Sequence, residues 1–361
     1  MGHGMGRLTV VKSVLLHTAL VASIIVAAGC SSSAGASGSD GKSGQNLQQM
    51  PLDQLYQLAK AEGTFTMYGD GNAMPTLFKS FQQKYPGIKM NLVDEQDSTL
   101  AVRAQAEAAA GKVVGDVWAS PTESLDAMVQ GGLVDKFNPP EAAAYPASDK
   151  TDYWVGNEIQ PLALCWNTTK VPSSDAPSTW DDLSNAKYQK YSIGIDPDAW
   201  ITMLAYAQDK FSGNKDQAES VFKAIANTNK VVPGTGGRAL VNSLASGDID
   251  IDMSCEVHIY AQLKAKGAPI AISDAVSVPE PVGIAVLKND PHPAAGMLVA
   301  RWLLSDDGQQ AMAAFNRIPG NPNFKAKIEV PSQNQYTVPP ATVSASRKDY
   351  AADWKQIFGL H

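Results

Sequence analysis

Carboxylate side chains stand where the predicted parallel strands of this chain end and the following helices begin. They occur in short loops such as Gly69-Asp70-Gly71-Asn72 and Asp94-Glu95. In open parallel sheets, ligands bind outside the carboxyl ends of the strands, where loops meet helix N-termini. The acidic residues at these positions are Asp70, Asp94, Glu95, Asp196, Asp198 and Glu256, with Arg238 as the nearby base. This balance favours a cationic ligand, or a polyol held by carboxylate acceptors, over a phosphate.

Each of these acidic residues also has a structural interpretation. Asp and Glu near a helix N-terminus are stabilised by the helix dipole and often serve only as caps, typically contributing ~0.3–1 kcal/mol each. The loop Gly234-Thr235-Gly236-Gly237 could hold an anion with its backbone N–H groups, but it lacks the Lys and the spacing of a P-loop. A tight turn into a helix is the simpler interpretation of that loop. We expect at least one of the acidic residues to contact a ligand.

Further candidate contacts carry aromatic, hydroxyl, amide or imidazole groups. Trp200 follows Asp198 at a predicted helix start, where its ring could stack on a flat or sugar-like ligand or pack in the core. The residues that we predict to contact the ligand are Tyr68, Asp70, Asn72, Glu95, Ser120, Trp200, Glu256, His258 and Glu280. Arg238 is kept outside this set.

The sequence lacks the local patterns that activate a nucleophile or hold a catalytic metal. It has no Gly-x-Ser-x-Gly elbow and no His-Glu-x-x-His pair, and Cys255 near His258 is the nearest nucleophile–base pairing. Glu256, His258 and Tyr260 form a possible metal cluster, although single His residues are more often structural. We therefore predict that the chain is not an enzyme and needs no cofactor or metal.

Two series of alternating strands and helices must position these loops. The first series has predicted helices over 52–61, 74–85, 99–110 and 122–130 and strands over 64–68, 88–92 and 116–119. The second has predicted strands over 191–195, 230–232, 249–253 and 269–272. Its predicted helices are one that begins at 201, a second that continues through 222, and two over 237–245 and 259–266. Successive strand–helix units predict a parallel, doubly wound sheet in each series.

Two extended segments connect the series. The run IQPLALCWNT over 159–168 is too short for a buried helix and has its proline near the entrance, so it predicts a strand. The segment VSVPEPVGIAVL over 276–287 leads onward to a predicted helix over 294–304. The pattern predicts two α/β lobes whose candidate loops line one cleft if the lobes face each other.

The N-terminal residues 1–29 predict a targeting segment that is removed from the mature protein. Arg7 and Lys12 precede an apolar run over 14–26, and small residues lead to Cys30. This ending resembles a bacterial lipobox, although Ala27 stands where leucine is most frequent. Lipidation of Cys30 would anchor the chain through a flexible Ser/Gly-rich tether over 30–49. An ordinary secretory signal is the alternative, and no second run reaches the ~20 apolar residues of a spanning helix.

The net charge and the number of cysteines restrict the possible partners of the chain and the possible roles of its thiols. The chain has 29 Lys and Arg against 36 Asp and Glu, and loss of the leader with its two bases would leave a formal charge of −9. Such a chain lacks the basic face that nucleic acids require. Besides Cys30, only Cys165 and Cys255 are present, which excludes a disulfide-dependent scaffold and a four-cysteine zinc site. These two thiols are either bonded to each other or both free.

Several segments together resemble the extracellular solute-binding proteins of bacterial ABC importers, in the iron(III), thiamine and phosphonate branch. The segments are LYQLAKAEGTFTMYG, SFQQKYPGIKMNLV, LAVRAQAEAAAGKVVGDVWAS, PLALCWNTTKV, STWDDL, LASGDIDIDM, LKAKGAPI, GIAVLKNDPHPAAGMLVARWLLSDDGQQAMAAFNRIP and DYAADWKQIFG. Their order and spacing over most of residues 51–320 carry the resemblance.

The resemblance implies a periplasmic-binding-protein type II fold, in which two lobes joined by two crossing strands close like a hinge around a ligand. Lobe 1 would comprise 50–160 and 280–318, and lobe 2 would comprise 161–279 and 319–361. Cys165 and Cys255 would then lie on neighbouring strands, which favours a disulfide. The implied partner is an ABC permease, and we expect a monomer anchored on the outer face of the cell membrane.

Departures from the family pattern restrict the ligand. Iron(III) binders carry adjacent tyrosines where this chain has His258 and Ile259, with Tyr260 one step later, so iron held by paired phenolates is disfavoured. Anion binders commonly have Ser-Gly-Thr-like residues where this chain has Asp198-Ala199-Trp200, whose carboxylate would repel phosphate. We predict uptake of a cationic or polyhydroxylated organic solute. A ferric iron-binding protein is the alternative, followed by a secreted enzyme or a receptor lipoprotein.

Overall fold

The computed structural model describes residues 47–360 except Asn72 and Ser332, so the predicted leader and Cys30 lie outside the described residues. The helices are α1 Leu52–Glu62, α2 Met74–Lys84, α3 Asp97–Ala109, α4 Thr122–Gln130, α5 Ile201–Lys210, α6 Lys215–Thr228, α7 Gly237–Ser246, α8 Val257–Ala265, α9 Pro293–Leu304, α10 Asp306–Ala314 and α11 Pro340–Phe358. The strands are β1 Thr64–Tyr68, β2 Lys89–Val93, β3 Val117–Pro121, β4 Trp154–Asn167, β5 Ser192–Ile195, β6 Lys230–Pro233, β7 Ile251–Glu256, β8 Ile270–Val286 and β9 Ile318–Pro319. Short 3₁₀ turns cover Pro140–Ala144, Ala147–Asp149, Ser173–Asp175, Trp180–Ser184 and Ala186–Tyr188.

Capping groups and glycines set several helix ends. The side chain of Asn214 accepts a hydrogen bond from the backbone N–H of Gln217 at the start of α6. Helix α1 ends at Gly63, whose φ of 73° lies in the left-handed region that favours glycine. One boundary matters for the site, because α3 begins at Asp97 and not at residue 99 as predicted.

All nine strands of the described chain belong to one sheet with the order β2-β1-β3-β8-β4-β7-β5-β6, and β9 pairs with β4. Strand β1 pairs in parallel with β2 and β3, and β5 pairs in parallel with β6 and β7. Strands β4 and β8 run antiparallel to each other and to their outer neighbours, β7 and β3. The two predicted parallel series are therefore joined by two crossing strands, which confirms the predicted fold class.

The crossing strands are longer than predicted, and one assignment was wrong. Residues 269–272 were expected to complete the second parallel series, but Ile270 begins β8 and lies antiparallel to Asn167 of β4. Strand β4 begins at Trp154, well before residue 159. Pro161 lies opposite Pro279 inside this ladder, so the proline that was expected near the strand entrance falls within paired strands. Pairing with a long partner satisfies the remaining backbone groups on both sides of each proline.

The buried apolar residues divide into clusters on either side of the crossing strands. Clusters around Phe65 and Trp118 are built from residues of 55–155 together with 284–312. Clusters around Tyr206 and Leu240 are built from residues of 162–278 together with 343–360. Each half of the sheet thus has its own core, and each core combines distant parts of the chain. The lobe boundaries given above stay a prediction.

Cys165 of β4 and Cys255 of β7 form a disulfide, with their Cα atoms 5.8 Å apart. The two strands are antiparallel neighbours, and the ladder has an irregularity between Ala163 and Cys165. The residues alone left the bonded and free states open, and the structure shows the bonded state. The bond links a crossing strand to the second half of the sheet.

Candidate ligand-binding cleft

A cavity of about 510 Å³ lies at the carboxyl ends of the parallel strands. Loops after β1, β2 and β3 line one side, and loops after β5, β6 and β7 line the other. Gln160 of β4 and Glu280 of β8 contribute from the crossing strands. The volume is typical of small-molecule sites, which range over roughly 300–1,000 Å³. We call this cavity the cleft.

Six of the nine predicted contacts line the cleft, and they come from both halves of the sheet. They are Asp70, Glu95, Ser120, Trp200, Glu256 and Glu280, and Arg238 lines it as well. The Ser120 hydroxyl donates a hydrogen bond of 2.7 Å to Asp97. Trp200 is only 4% exposed and packs in the second core, so most of its ring has the structural role. Contact between these side chains and a ligand stays a prediction.

Tyr68 does not line the cleft. Its side chain is buried beside Trp118, and its hydroxyl donates to the Glu107 carboxylate at 2.6 Å. Burial and the neighbouring carboxylate raise the pKa of the phenol. Tyr68 therefore supports α3 from within the first core. Asn72 lies outside the described residues.

His258 lies beneath the cleft and not on its surface. The imidazole is 1% exposed, and its Nε2 atom is 3.3 Å from a Glu256 carboxylate oxygen. Burial lowers the pKa of His258 well below its usual value, and the charges of Arg317 and Arg238 act in the same direction. Burial therefore favours the neutral ring, which lies beside Glu256 although neither ring nitrogen makes a hydrogen bond with a described residue.

The alternative metal set is only partly assembled. Glu256 and His258 are neighbours, whereas Tyr260 is partly buried against the apolar cluster that contains Ile259. Within residues 47–360, apart from the two undescribed positions, no group of three or more His, Cys, Asp or Glu is arranged to hold a metal ion.

Three charged residues of the cleft were not predicted. Asp97 and Glu123 lie in the first turns of α3 and α4, and Arg347 belongs to the C-terminal helix α11. Glu123 lay in the first turn of a predicted helix, and Asp97 lay just before one, so position relative to a helix start was the available signal for both acids. Arg347 lies far along the chain, and no local pattern marks it.

Nine of the described residues that line the cleft are Asp or Glu, and two are Arg. Burial raises the pKa of Asp97, Glu123 and Glu256 to about 7 and that of Asp196 to about 6. Neighbouring carboxylates contribute to each shift, because like charges at short range disfavour ionisation. The cleft therefore concentrates acidic groups whose ionisation is suppressed, and these groups outnumber its two arginines.

Glu280 lies among other acidic side chains of the cleft. It lies on β8, is 8% exposed, and is surrounded by the carboxylates of Glu123, Asp97, Glu256 and Asp196. Burial raises its pKa well above the ordinary value, and each of these four charges adds to the rise. A cation bound here would face acidic groups from both sides of the cleft at once.

A hydrogen bond joins the two sides across the cleft. The Gln96 amide nitrogen, at the start of α3, donates to the Thr235 carbonyl oxygen at 2.6 Å. Thr235 is followed by Gly236 with φ 130° and by Gly237, where an added Cβ would lie 2.1 Å from a Glu256 oxygen. The glycines therefore allow the loop to approach both Gln96 and Glu256, and the loop forms a turn into α7.

Arg317 connects the cleft to a crossing strand. Its guanidinium lies 2.7 Å from Asp70 and 2.7 Å from Glu158 of β4, and the arginine is fully buried. Burial raises the pKa of both carboxyl groups, to about 8 for Glu158, and the positive charge of Arg317 opposes that rise. The backbone just after Arg317 forms β9, which pairs with β4 at Glu158 and Ile159.

The chain belongs to the bacterial extracellular solute-binding protein family. The sequence profile of that family matches residues 76–340, well over half of the chain. No curated protein matches the chain in sequence. The family comprises exported proteins that bind small solutes, and it is not a class of enzymes. This membership confirms the resemblance read from the sequence. No helix in the described part of the chain is long and apolar enough to span a bilayer.

Solved structures of periplasmic binding proteins share the fold. Iron-bound HitA from Pseudomonas aeruginosa is 21% identical, with a TM-score of 0.68 over 81% of this chain and 99% of HitA. AfuA from Actinobacillus pleuropneumoniae, with fructose-6-phosphate bound, is 19% identical, with a TM-score of 0.70 over 83% of this chain and all of AfuA. MotA from A. tumefaciens B6, in complex with glucopine, is 15% identical, with a TM-score of 0.69 over 82% of this chain and 99% of MotA. These proteins bind chemically different ligands, so the likeness shows the fold.

Proposed function

We propose that this chain is the substrate-binding lipoprotein of an ABC importer and that it binds a cationic organic solute, with a polyhydroxylated solute as the second choice. The observation that carries this proposal is Glu280, which is buried among carboxylates from both sides of the cleft. Solute-binding proteins of this family deliver small molecules to permeases. The proposal adds the charge of the solute and the identity of its recognition groups.

The argument for positive charge is electrostatic. Two unit charges 4 Å apart interact by about 4 kcal/mol at an effective dielectric constant of 20, against about 1 kcal/mol in water. Burial raises the pKa of Asp97, Glu123, Glu256 and Glu280, and neighbouring carboxylates raise each of them further. A bound ammonium or amidinium group would allow them to ionise and would gain charge-assisted hydrogen bonds. A phosphate would add to the repulsion.

Binding would proceed without chemical change to the solute. The crossing strands β4 and β8 hold the two walls, and a solute that contacts both walls favours the arrangement in which they are close. Gln96 and Thr235 join the walls in that arrangement. We propose that the closed form is the one a permease recognises, and that the chain has no enzymatic activity.

The anchor follows from the N-terminal sequence. Cys30 would carry the lipid, and the residues that precede 47 would link it to the described folded part, which begins at Leu47 and not at residue 50. We propose that the folded part acts as a monomer. Mass spectrometry of the protein from its membrane fraction tests the anchor, because diacylation at Cys30 changes the mass of the N-terminal peptide.

The ligand class is tested in two steps. Native mass spectrometry of protein purified without added solute identifies any retained molecule. Thermal-shift measurements then compare spermidine, choline and thiamine with sorbitol, ferric citrate and phosphate. A tight ligand raises stability by RT ln(1 + [L]/Kd), about 2.7 kcal/mol at a hundredfold excess over Kd. We expect the largest shift from a cation.

Each other outcome has a definite meaning. A shift from sorbitol alone would leave the polyol as the ligand class, and a shift from ferric citrate alone would establish the iron alternative. A shift from phosphate alone would show that the charge argument is wrong. Glu329→Gln is the matched control for cleft variants, because Glu329 is an exposed acid outside the residues that line the cleft.

A further inference from the structure

The C-terminal helix α11 contacts both sides of the cleft. Tyr350, Trp354 and Phe358 pack in the second core, and the Trp354 indole donates to the Asp196 carbonyl oxygen at 2.9 Å. Closer to the start of the helix, Ser344 donates to the Asp126 carboxylate of α4. Helix α4 belongs to the first half of the sheet, where it packs with the residues around Trp118. The same helix is therefore fixed on one wall and bonded to the other.

Arg347 lies on this helix between the two walls. It lines the cleft, and its Nη1 atom donates to the Glu123 carbonyl oxygen at 3.4 Å. Among the described residues, no carboxylate lies within 4.0 Å of its guanidinium. Its charge nevertheless acts on acids of both walls, Asp97 and Glu123 on one and Asp198 on the other. It is thus shared between the walls and not committed to one ion pair.

We propose that α11 is part of the binding site and that Arg347 is a positioning residue, a counter-ion that holds the acidic walls of the cleft together. Lys355 also acts on Asp198, and more strongly, but Arg347 is the cation that acts on both Asp97 and Asp198. Without its charge, the repulsion between these two acids across the partly buried cleft would be offset only on the Asp198 side. The walls would separate more often, and the hydrogen bond between Gln96 and Thr235 would open with them.

The role of Arg347 rests on its position between the walls and does not depend on which solute the cleft binds. Its test therefore needs no ligand, and its failure is distinct from failure of the proposed function. Lys348 offers a matched control, because it is the next residue of the same helix, carries the same charge and is exposed. Arg347→Lys keeps the charge and changes only its geometry.

Hydrogen–deuterium exchange of the full chain without ligand, followed by mass spectrometry, measures the opening of the cleft. We expect Arg347→Gln to speed exchange several-fold in peptides that contain residues 94–98 and 233–238, which lie on opposite walls. Arg347→Lys should restore most of the protection, and Lys348→Gln should leave it unchanged. Amides exchange through local opening, so faster exchange on both walls reports separation of the walls.

Two results would overturn the proposal. Unchanged exchange on both walls in Arg347→Gln would show that its charge does not hold them together. Faster exchange confined to residues 340–358 would show that Arg347 only stabilises its own helix. Ser344→Ala, compared with Ser346→Ala on the same helix, separates the hydrogen bond to Asp126 from the charge effect. The first of these two variants should loosen α4, and the second should have no effect there.

Discussion

The guanidinium of Arg317 lies 2.7 Å from the carboxylate of Glu158, and both side chains are fully buried. The same guanidinium lies 2.7 Å from Asp70, which lines the cleft. One buried cation thus connects a wall of the cleft to the crossing strand β4. Motion of the walls must either carry Arg317 along or break one of these contacts.

Removal of Arg317 should be strongly destabilising. Arg317→Met would leave two buried carboxyl groups without their cation, a change that typically costs about 3–5 kcal/mol. Arg103→Met is the control, since Arg103 pairs with Glu95 and Glu107 but is 38% exposed, and exposed pairs contribute about 1 kcal/mol or less. Urea unfolding measures both changes. Equal losses in the two variants would contradict the role assigned to burial.

Glu280 should dominate the affinity for a cation. Glu280→Gln keeps the shape of the side chain and removes its charge, so binding should weaken roughly tenfold or more, as for a charge-assisted hydrogen bond worth about 1.5–3 kcal/mol. Isothermal titration with spermidine and with choline measures the change. Glu329→Gln should bind like the native protein. An unchanged Kd in Glu280→Gln would exclude Glu280 from the contact set.

Stability without ligand should fall as pH rises. The pKa of Asp97 and of Glu123 is raised to about 7, whereas both groups titrate near their ordinary values in the unfolded chain. Between roughly pH 4 and 7 the native state therefore binds more protons than the unfolded state, and the free energy of unfolding decreases as pH rises. The double variant Asp97→Asn with Glu123→Gln should show a flatter dependence in urea titrations across this range. A slope equal to that of the native protein would contradict the raised pKa values.

Gln96 should affect the lifetime of the closed form. Gln96→Ala removes the hydrogen bond to Thr235, and a neutral hydrogen bond contributes about 0.5–1.5 kcal/mol, or roughly two- to tenfold in an equilibrium constant. Stopped-flow measurement of spermidine dissociation should show the change as a faster off-rate. Gln54→Ala, at an exposed position of α1, should leave the off-rate unchanged.

The disulfide should stabilise the chain without setting its affinity. Cys165 and Cys255 are 90 residues apart, and closing a loop of that size contributes about 4–5 kcal/mol in the chain-entropy treatment. Urea unfolding with and without dithiothreitol measures this contribution. Cys165 lies on the part of the crossing strand β4 that pairs with β7, and both cysteines pack in the second core, so the Kd for spermidine should change little. A large loss of affinity on reduction would show that the bond positions Glu256, which follows Cys255.

Much of the cleft could be predicted because strand ends are local features. Asp70 comes just after β1 and Glu256 is the last residue of β7, and the topology of a parallel sheet places such strand ends at one edge. Tyr68 was misplaced because side chains alternate along a strand. Met67 packs in one cluster of the first half and Tyr68 in another, beneath α3, so the last residue of β1 faces away from the cleft.

The remaining contributions depend on packing between distant segments. Arg347 reaches the cleft only because Tyr350 and Trp354 fix α11 in the second core. His258 was predicted to contact the ligand, but α8 begins at Val257 and the imidazole is buried beside Glu256. In the same way, the extent of β8 follows from its pairing with β4, which no local pattern of residues 269–272 reveals.

The first core is completed by helix α9, whose Leu298 and Trp302 pack among residues that precede 156 in the chain. When the chain is synthesised from its N-terminus, residues 162–278 of the second half are therefore made before this core can close. Long-range pairing of that kind slows folding, because distant segments must meet before their contacts form. In a protein of an exported family, late closure of this core leaves the N-terminal segments unfolded for longer. The order of the segments therefore makes the core nearest the N-terminus one of the last parts of the chain to be completed.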